Sequence, residues 1–148
     1  MDTEPLIILV AEDDENDRLL ITDALNELKT KTIVHFVYDG VELMNYLAKA
    51  DNNLPHLLFL DLNMPRKNGF ECLKEIRQNT QWNDLAIVIL STSLSETDIE
   101  NTLVNGANVY INKPNTFDAL VAALHKVVTT AYTYQNTFFN KSNFLLRL

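Results

Sequence analysis

Leu6-Ile7-Ile8-Leu9-Val10-Ala11-Glu12-Asp13-Asp14-Glu15-Asn16 is the stretch on which the fold turns. Six apolar residues in a row, with no polar residue alternating among them, read as a strand buried on both faces. Such strands belong to parallel sheets covered by helices on each side. The run stops at five polar residues, four of them acidic. A helix is predicted next, with Leu20, Ala24 and Leu28 at spacings of four and Ile21 and Leu25 beside them.

The same unit repeats along the chain. Ile33 to Tyr38 is a second strand candidate, and Val41 to Leu47 a helix that ends before Asn52-Asn53. Leu57-Leu58-Phe59-Leu60 is a third apolar run, stopping abruptly at Asp61. After a turn around Pro65 and Gly69 comes a helix bearing Phe70, Leu73, Ile76 and Arg77. Leu85 to Leu90 is the fourth strand, followed by Ser91-Thr92-Ser93. A helix from about Ser95 to Asn105 is closed by Gly106, a suitable left-handed cap. Tyr110-Ile111 lies in a fifth strand, Lys113-Pro114 ends it, and the last helix starts near Thr116. Five strand–helix units with short connections predict an α/β fold: an open, doubly wound, five-stranded parallel sheet with helices on both faces. Strand order is not readable from periodicity.

Composition narrows the function. Twelve basic residues against twenty acidic ones give a formal net charge of −8 over 148 residues, which disfavours direct nucleic-acid binding. The single cysteine, Cys72, permits no internal disulfide and fits a reducing, cytoplasmic setting. No apolar run approaches the roughly 18 to 20 residues that cross a bilayer, so no membrane association is expected. Three glycines at these spacings form neither a dinucleotide fingerprint nor a P-loop. The three histidines, His35, His56 and His125, have no metal-ligand spacing and read as structural or surface residues.

Chemistry gathers at the strand ends, where open α/β sheets bind ligands. The first strand supplies Glu12 and Asp13, the third Asp61, the fourth Ser91 and the fifth Lys113. Clustered carboxylates raise one another's pKa unless a cation compensates. Mg²⁺ suits such a set, since it takes one or two carboxylates, carbonyls and water and leaves room for phosphate. Lys113 can pair with a phosphoryl oxygen, and Ser91 can donate a hydrogen bond to one. The arrangement fits phosphoryl transfer onto Asp61.

Over residues 5 to 130 the chain resembles the receiver domain of two-component response regulators, a flavodoxin-like fold. The resemblance is carried by ILVAEDDEN (8–16), LLFLDLNMPRKNGFE (57–71), IVILSTS (87–93) and GANVYINKPN (106–115). It implies that Asp61 is the phosphoacceptor. Glu12 and Asp13 would be the metal-binding acid pair, with the backbone carbonyl of Asn63 as a further ligand and Mg²⁺, or Mn²⁺ in its place, as cofactor. Ser91 would be the switch hydroxyl, Lys113 the site lysine, and Tyr110 the aromatic that turns inward when Ser91 moves. The Lys113–Pro114 peptide is expected to be cis. Glu12 stands where Asp is commoner, Asp14 is expected to start a helix without ligating, and Thr92, bulkier than usual, to modulate access to Asp61.

The implied donor is a sensor histidine kinase or a histidine phosphotransfer protein. Phosphorylation would reshape the surface of the fourth helix, fifth strand and fifth helix, making the protein a bacterial switch and not a turnover enzyme. Two rival readings are an interaction module that works without phosphorylation, and an aspartyl-phosphate phosphatase. The latter wants a second acid where Asn63 stands.

Residues 1–130 are expected to form the domain, and 131–148 an extension. The extension carries Lys141 and Arg147, no acid, and five of the thirteen aromatics, which leaves −10 on the rest. With no output domain following, a stand-alone regulator is expected. The extension could pack back on the domain, meet a second subunit or bind a partner. Similarity to extended regulators paired with bacterial phytochrome kinases suggests a homodimer through the extension and the face of helix 4, strand 5 and helix 5.

Overall fold

A computed structural model describes residues 4–51, 53–134 and 146–147. The elements are β1 (Leu6–Ala11), α1 (Glu15–Asn26), β2 (Thr32–Val37), α2 (Gly40–Lys49), β3 (Leu57–Leu60) and α3 (Gly69–Gln78). After a single 3-10 turn at Thr80–Trp82 come β4 (Ala86–Ser91), α4 (Glu96–Val104), β5 (Val109–Asn112), α5 (Phe117–Tyr134) and β6 (Leu146–Arg147). The strands lie in the order β2-β1-β3-β4-β5-β6, and every neighbouring pair is parallel.

The unbroken apolar runs have a plain cause. In β1, Leu6, Ile8 and Val10 join one core with Leu57, Phe59, Val88, Val109 and the inner faces of α1 and α5. Leu9 and Ala11 point the other way, into a second core with Leu58, Leu60, Ile87, Ile89 and residues of α2, α3 and α4. A strand covered on both faces has no solvated side to encode, so the period of two disappears from its sequence. Edge strand β2 keeps it, alternating half-buried and exposed residues from Thr32 to Phe36.

Helix starts follow the capping residues. Asp14, Asp39, Asn68 and Ser95 each accept a hydrogen bond from a backbone N–H in the first turn of α1, α2, α3 and α4. Asp14 is thus a helix-start acid, as expected. Gly106 ends the α4 turn at φ +107°, a conformation few other residues adopt.

Three findings go beyond the sequence reading. The five-stranded core gains a sixth, two-residue strand, in which Leu146 and Arg147 lie opposite Val109 and Tyr110. A strand this short carries no periodic signal. The last helix continues through position 130 to Tyr134, with Ala131 buried against the sheet. Finally, no peptide bond among the described residues is cis, so the Lys113–Pro114 expectation is corrected: that bond is trans. X–Pro amides prefer trans by about 0.5–1 kcal/mol. Here the trans chain, anchored by Lys113 N–H to the Ser91 carbonyl at 2.8 Å, already carries the lysine to the strand ends. Phe138, Phe139 and Phe144 of the extension lie outside the described residues.

No helix among the described residues is long and apolar enough to cross a membrane.

Candidate phosphoacceptor and metal site

β1 has β2 on one side and β3 on the other, so the connections leaving β1 and β3 diverge and open a crevice at their carboxyl ends. Glu12 and Asp13 follow β1, and Asp61 follows β3. Carboxylate oxygens of these three residues all lie within 4.8 Å of one another, with Glu12 and Asp61 buried and Asp13 exposed. An all-oxygen set of this charge fits a hard divalent cation better than zinc, which favours nitrogen and sulfur.

The atoms around the set are assigned one by one. Lys113 Nζ donates to Glu12 Oε1 at 2.9 Å and to Asp17 Oδ2 at 2.8 Å, and stands 3.9 Å from Asp61 Oδ2. The other Glu12 oxygen accepts from the Asp14 N–H at 3.2 Å, and Asp61 Oδ1 accepts from the Asn63 N–H at 3.2 Å. One lysine therefore offsets a cluster of carboxylates. Burial pushes the Glu12 carboxyl up to about 7, against the hydrogen bond from Lys113, and the charge of Asp61 adds to the rise. Burial likewise raises Asp61, with Lys113 opposing. Burial works against the Lys113 charge too, but the hydrogen bonds to Asp17 and Glu12 and the charge of Asp61 outweigh it, holding the ammonium above its usual range. A site of this kind has an unmet demand for positive charge.

The hydroxyl side is also in place. Ser91 is fully buried at the end of β4, and its Oγ accepts from the Ser93 N–H at 3.1 Å. Thr92 beside it is exposed. Tyr110 is turned inward, 1% exposed, with its hydroxyl donating to the Ser93 carbonyl at 2.9 Å. Asn112 Nδ2 donates to the Ser91 and Ser93 carbonyls. The loop after Ser91 is thus tied to β5 by Tyr110 and Asn112.

Two residues were missed in the sequence. Asp17 is the second partner of Lys113. Arg18 donates to the Glu12 and Asp13 carbonyls at 3.0 and 2.8 Å while lying over the Tyr38 ring, 4.4 Å from its centroid. Their only signal was a position one turn into a helix that follows the acid pair. The remaining candidates are structural or surface residues. His56 Nδ1 accepts from the Ile7 N–H at 2.9 Å, His35 lies beside Tyr46 and His125 is exposed. Cys72 is buried, which pushes its thiol up to about 11.

Residues 8–125 match the response regulator receiver domain family, and the chain belongs to that family. It is similar to the response regulator Rcp1 of Synechocystis, 35% identical over 74% of this chain and 77% of that protein. It is also similar to a probable methanogenesis regulatory protein, FilR2, of Methanothrix harundinacea, 29% identical over 84% of this chain and 82% of the relative. Among solved structures, the phosphorylated cyanobacterial phytochrome response regulator RcpA superposes with a TM-score of 0.80 at 32% identity, covering 90% of this chain and 98% of that one. The Mn²⁺-bound form of Rcp1 gives 0.75 at 30% identity, covering 83% of this chain and 91% of that one.

Proposed function

We propose that this protein is a phosphorylation switch in two-component signalling, in which Asp61 takes a phosphoryl group from a phosphohistidine donor with Mg²⁺, or Mn²⁺ in its place, bound by Glu12, Asp13, Asp61 and the Asn63 carbonyl. The observation that carries this reading is the buried Asp61 carboxylate, grouped with Glu12 and Asp13 and 3.9 Å from the Lys113 ammonium. A Mn²⁺-bound regulator and a phosphorylated one among the similar structures support the same chemistry.

An Asp61 oxygen attacks phosphorus in line as the P–N bond to the donor imidazole breaks, and the imidazole departs with the electron pair and takes a proton. A divalent cation held by Glu12, Asp13, Asp61 and the Asn63 carbonyl would offset the charge of the carboxylates and of the transferring oxygens. Lys113 contributes charge at the same oxygens, and burial keeps bulk water from competing. Ser91 then donates a hydrogen bond from its hydroxyl to a phosphoryl oxygen. Movement of Ser91 toward that oxygen shifts an equilibrium in which Tyr110 and the α4–β5–α5 surface take part. Water attack on phosphorus, with access set in part by Thr92, releases inorganic phosphate and returns the Asp61 carboxylate.

The donor is a sensor histidine kinase or a histidine phosphotransfer protein in the cytoplasm. We read the α4–β5–α5 face and the extension as a homodimer interface. Leu94, in the loop before α4, and Val104, the last residue of α4, are exposed apolar residues that such an interface would cover.

The test is incubation with phosphoramidate or acetyl phosphate and Mg²⁺, followed by intact mass. A single phosphoryl addition that is lost in EDTA is expected; a protein that stays unmodified with Mg²⁺ present overturns the reading.

A further inference from the structure

We propose that the β2–α2 junction, Asp39 and Gly40, is a positioning element for the phosphorylation site, holding the β3–α3 loop, and Asn63 with it, in its metal-binding arrangement before the cation arrives. The inference rests on the metal-assisted reading of Asp61 above.

The loop from Asn63 to Asn68 has an unusual course. Arg66 stands at φ +67°, in the left-handed region that is costly for a residue with a Cβ. Directly after it, the Lys67 N–H folds back on the Pro65 carbonyl at 2.7 Å. A bend of this kind persists only where its surroundings hold it, and the β2–α2 junction does so in two ways.

Asp39 divides its carboxylate between two tasks. Oδ1 accepts from the Glu42 N–H at 2.8 Å and caps α2, while Oδ2 accepts from Arg66 Nη1 at 3.2 Å. Its side chain is 12% exposed and that of Arg66 62%. A pair this open adds little to global stability; what it changes is where the left-handed residue sits. Gly40, the next residue, lies flat against the loop. A Cβ there would stand 2.0 Å from the Lys67 carbonyl oxygen and 2.7 Å from its carbon. The Cys72 thiol of α3 reaches the Gly40 carbonyl at 3.6 Å, and Lys67 pairs with Glu75, so the loop is also joined to α3.

The far side of the loop bears on the acceptor itself. A Cβ on Gly69 would stand 2.3 Å from the Asp61 carbonyl oxygen, and the Gly69 N–H donates to the Leu62 carbonyl at 3.0 Å. Asn63 N–H donates to Asp61 Oδ1. Contacts of side chains and main chain thus run from Asp39 and Gly40, through Arg66, Lys67 and Gly69, to Asp61 and Asn63. Neither Asp39 nor Gly40 touches the acid cluster, and both act through the loop.

Asp39→Asn keeps an oxygen that can cap α2 and removes the charge facing Arg66; Arg66→Ala removes the other partner. In both, Mg²⁺ affinity measured by calorimetry is expected to weaken by about tenfold, the lower end for groups that orient metal ligands. The Mg²⁺ needed for half-maximal phosphorylation should rise by the same factor, with the rate at saturating Mg²⁺ unchanged. In the metal-free variants, amide exchange at residues 63–68 should quicken. The double variant should match either single one. Gly40→Ala, which forces the loop away, should have the larger effect if it folds. Wild-type Mg²⁺ affinity and exchange in both Asp39→Asn and Arg66→Ala would overturn the inference while leaving the Asp61 reading intact. Failure of the unaltered protein to be phosphorylated with Mg²⁺ would instead remove the reading beneath it.

Discussion

Asp61 is 6% exposed, carries a carboxyl raised by burial, and faces Glu12 and Asp13 with a lysine 3.9 Å away. A residue so placed serves reactivity at some expense to the fold. Asp61→Asn relieves the repulsion while keeping the shape, and it should stabilise the metal-free protein by about 1–2 kcal/mol, read from urea unfolding in EDTA. Glu12 adds a pH dependence of definite sign. Its folded pKa, about 7, lies above its ordinary value of 4.5. Its contribution to stability is therefore full below about 4.5 and is lost as pH rises through about 7. In EDTA the melting temperature should fall between pH about 4.5 and 7 more in the wild type than in Glu12→Gln. Binding a cation must expel the proton Glu12 holds, so Mg²⁺ affinity should weaken as pH drops below about 7. The acids themselves were legible in sequence, because each ends an apolar strand. Asp17 was not, since its contact with Lys113 depends on how α1 is turned against β5, a long-range fact.

The elements are joined by side chains whose purpose shows only in three dimensions. Arg77 of α3 donates to the carbonyls of Gly106, Trp82 and Leu85 and to Asn108 Oδ1, at 2.8 to 3.2 Å. It links α3, the 3-10 turn, the start of β4 and the α4–β5 turn, and burial lowers its guanidinium to about 10. Read as sequence, Arg77 was one more residue on a helix. Arg77→Met should strand several of these acceptors and cost about 2–4 kcal/mol in urea unfolding; a change below about 1 kcal/mol would mean that water replaces the guanidinium. The strands were the most readable elements, because β1 and β3 are apolar at every position and β4 at every position before Ser91. Strand order was hidden, since it is set by pairings between distant residues such as Ile8 with Leu57. The trans Lys113–Pro114 bond and the two-residue β6 were likewise beyond local patterns.

At the scale of the molecule, all twenty acids lie before position 131, while the last eighteen residues hold five of the thirteen aromatics. The −8 of the whole protein divides into −10 before position 131 and +2 after it. If the extension and the α4–β5–α5 face form a homodimer, light scattering should give twice the chain mass at micromolar concentrations. Monomers in both the free and phosphorylated forms would refute that. The switch itself rests on fewer assumptions, and its central claim is that the phosphoryl group is carried by Asp61 as an acyl phosphate. The most direct measurement is borohydride reduction of the phosphorylated protein followed by peptide mapping. An aspartyl phosphate is reduced to homoserine, so the peptide containing Asp61 should carry that conversion at this one position. Conversion at another residue, or phosphorylation that persists in Asp61→Asn, would contradict the account.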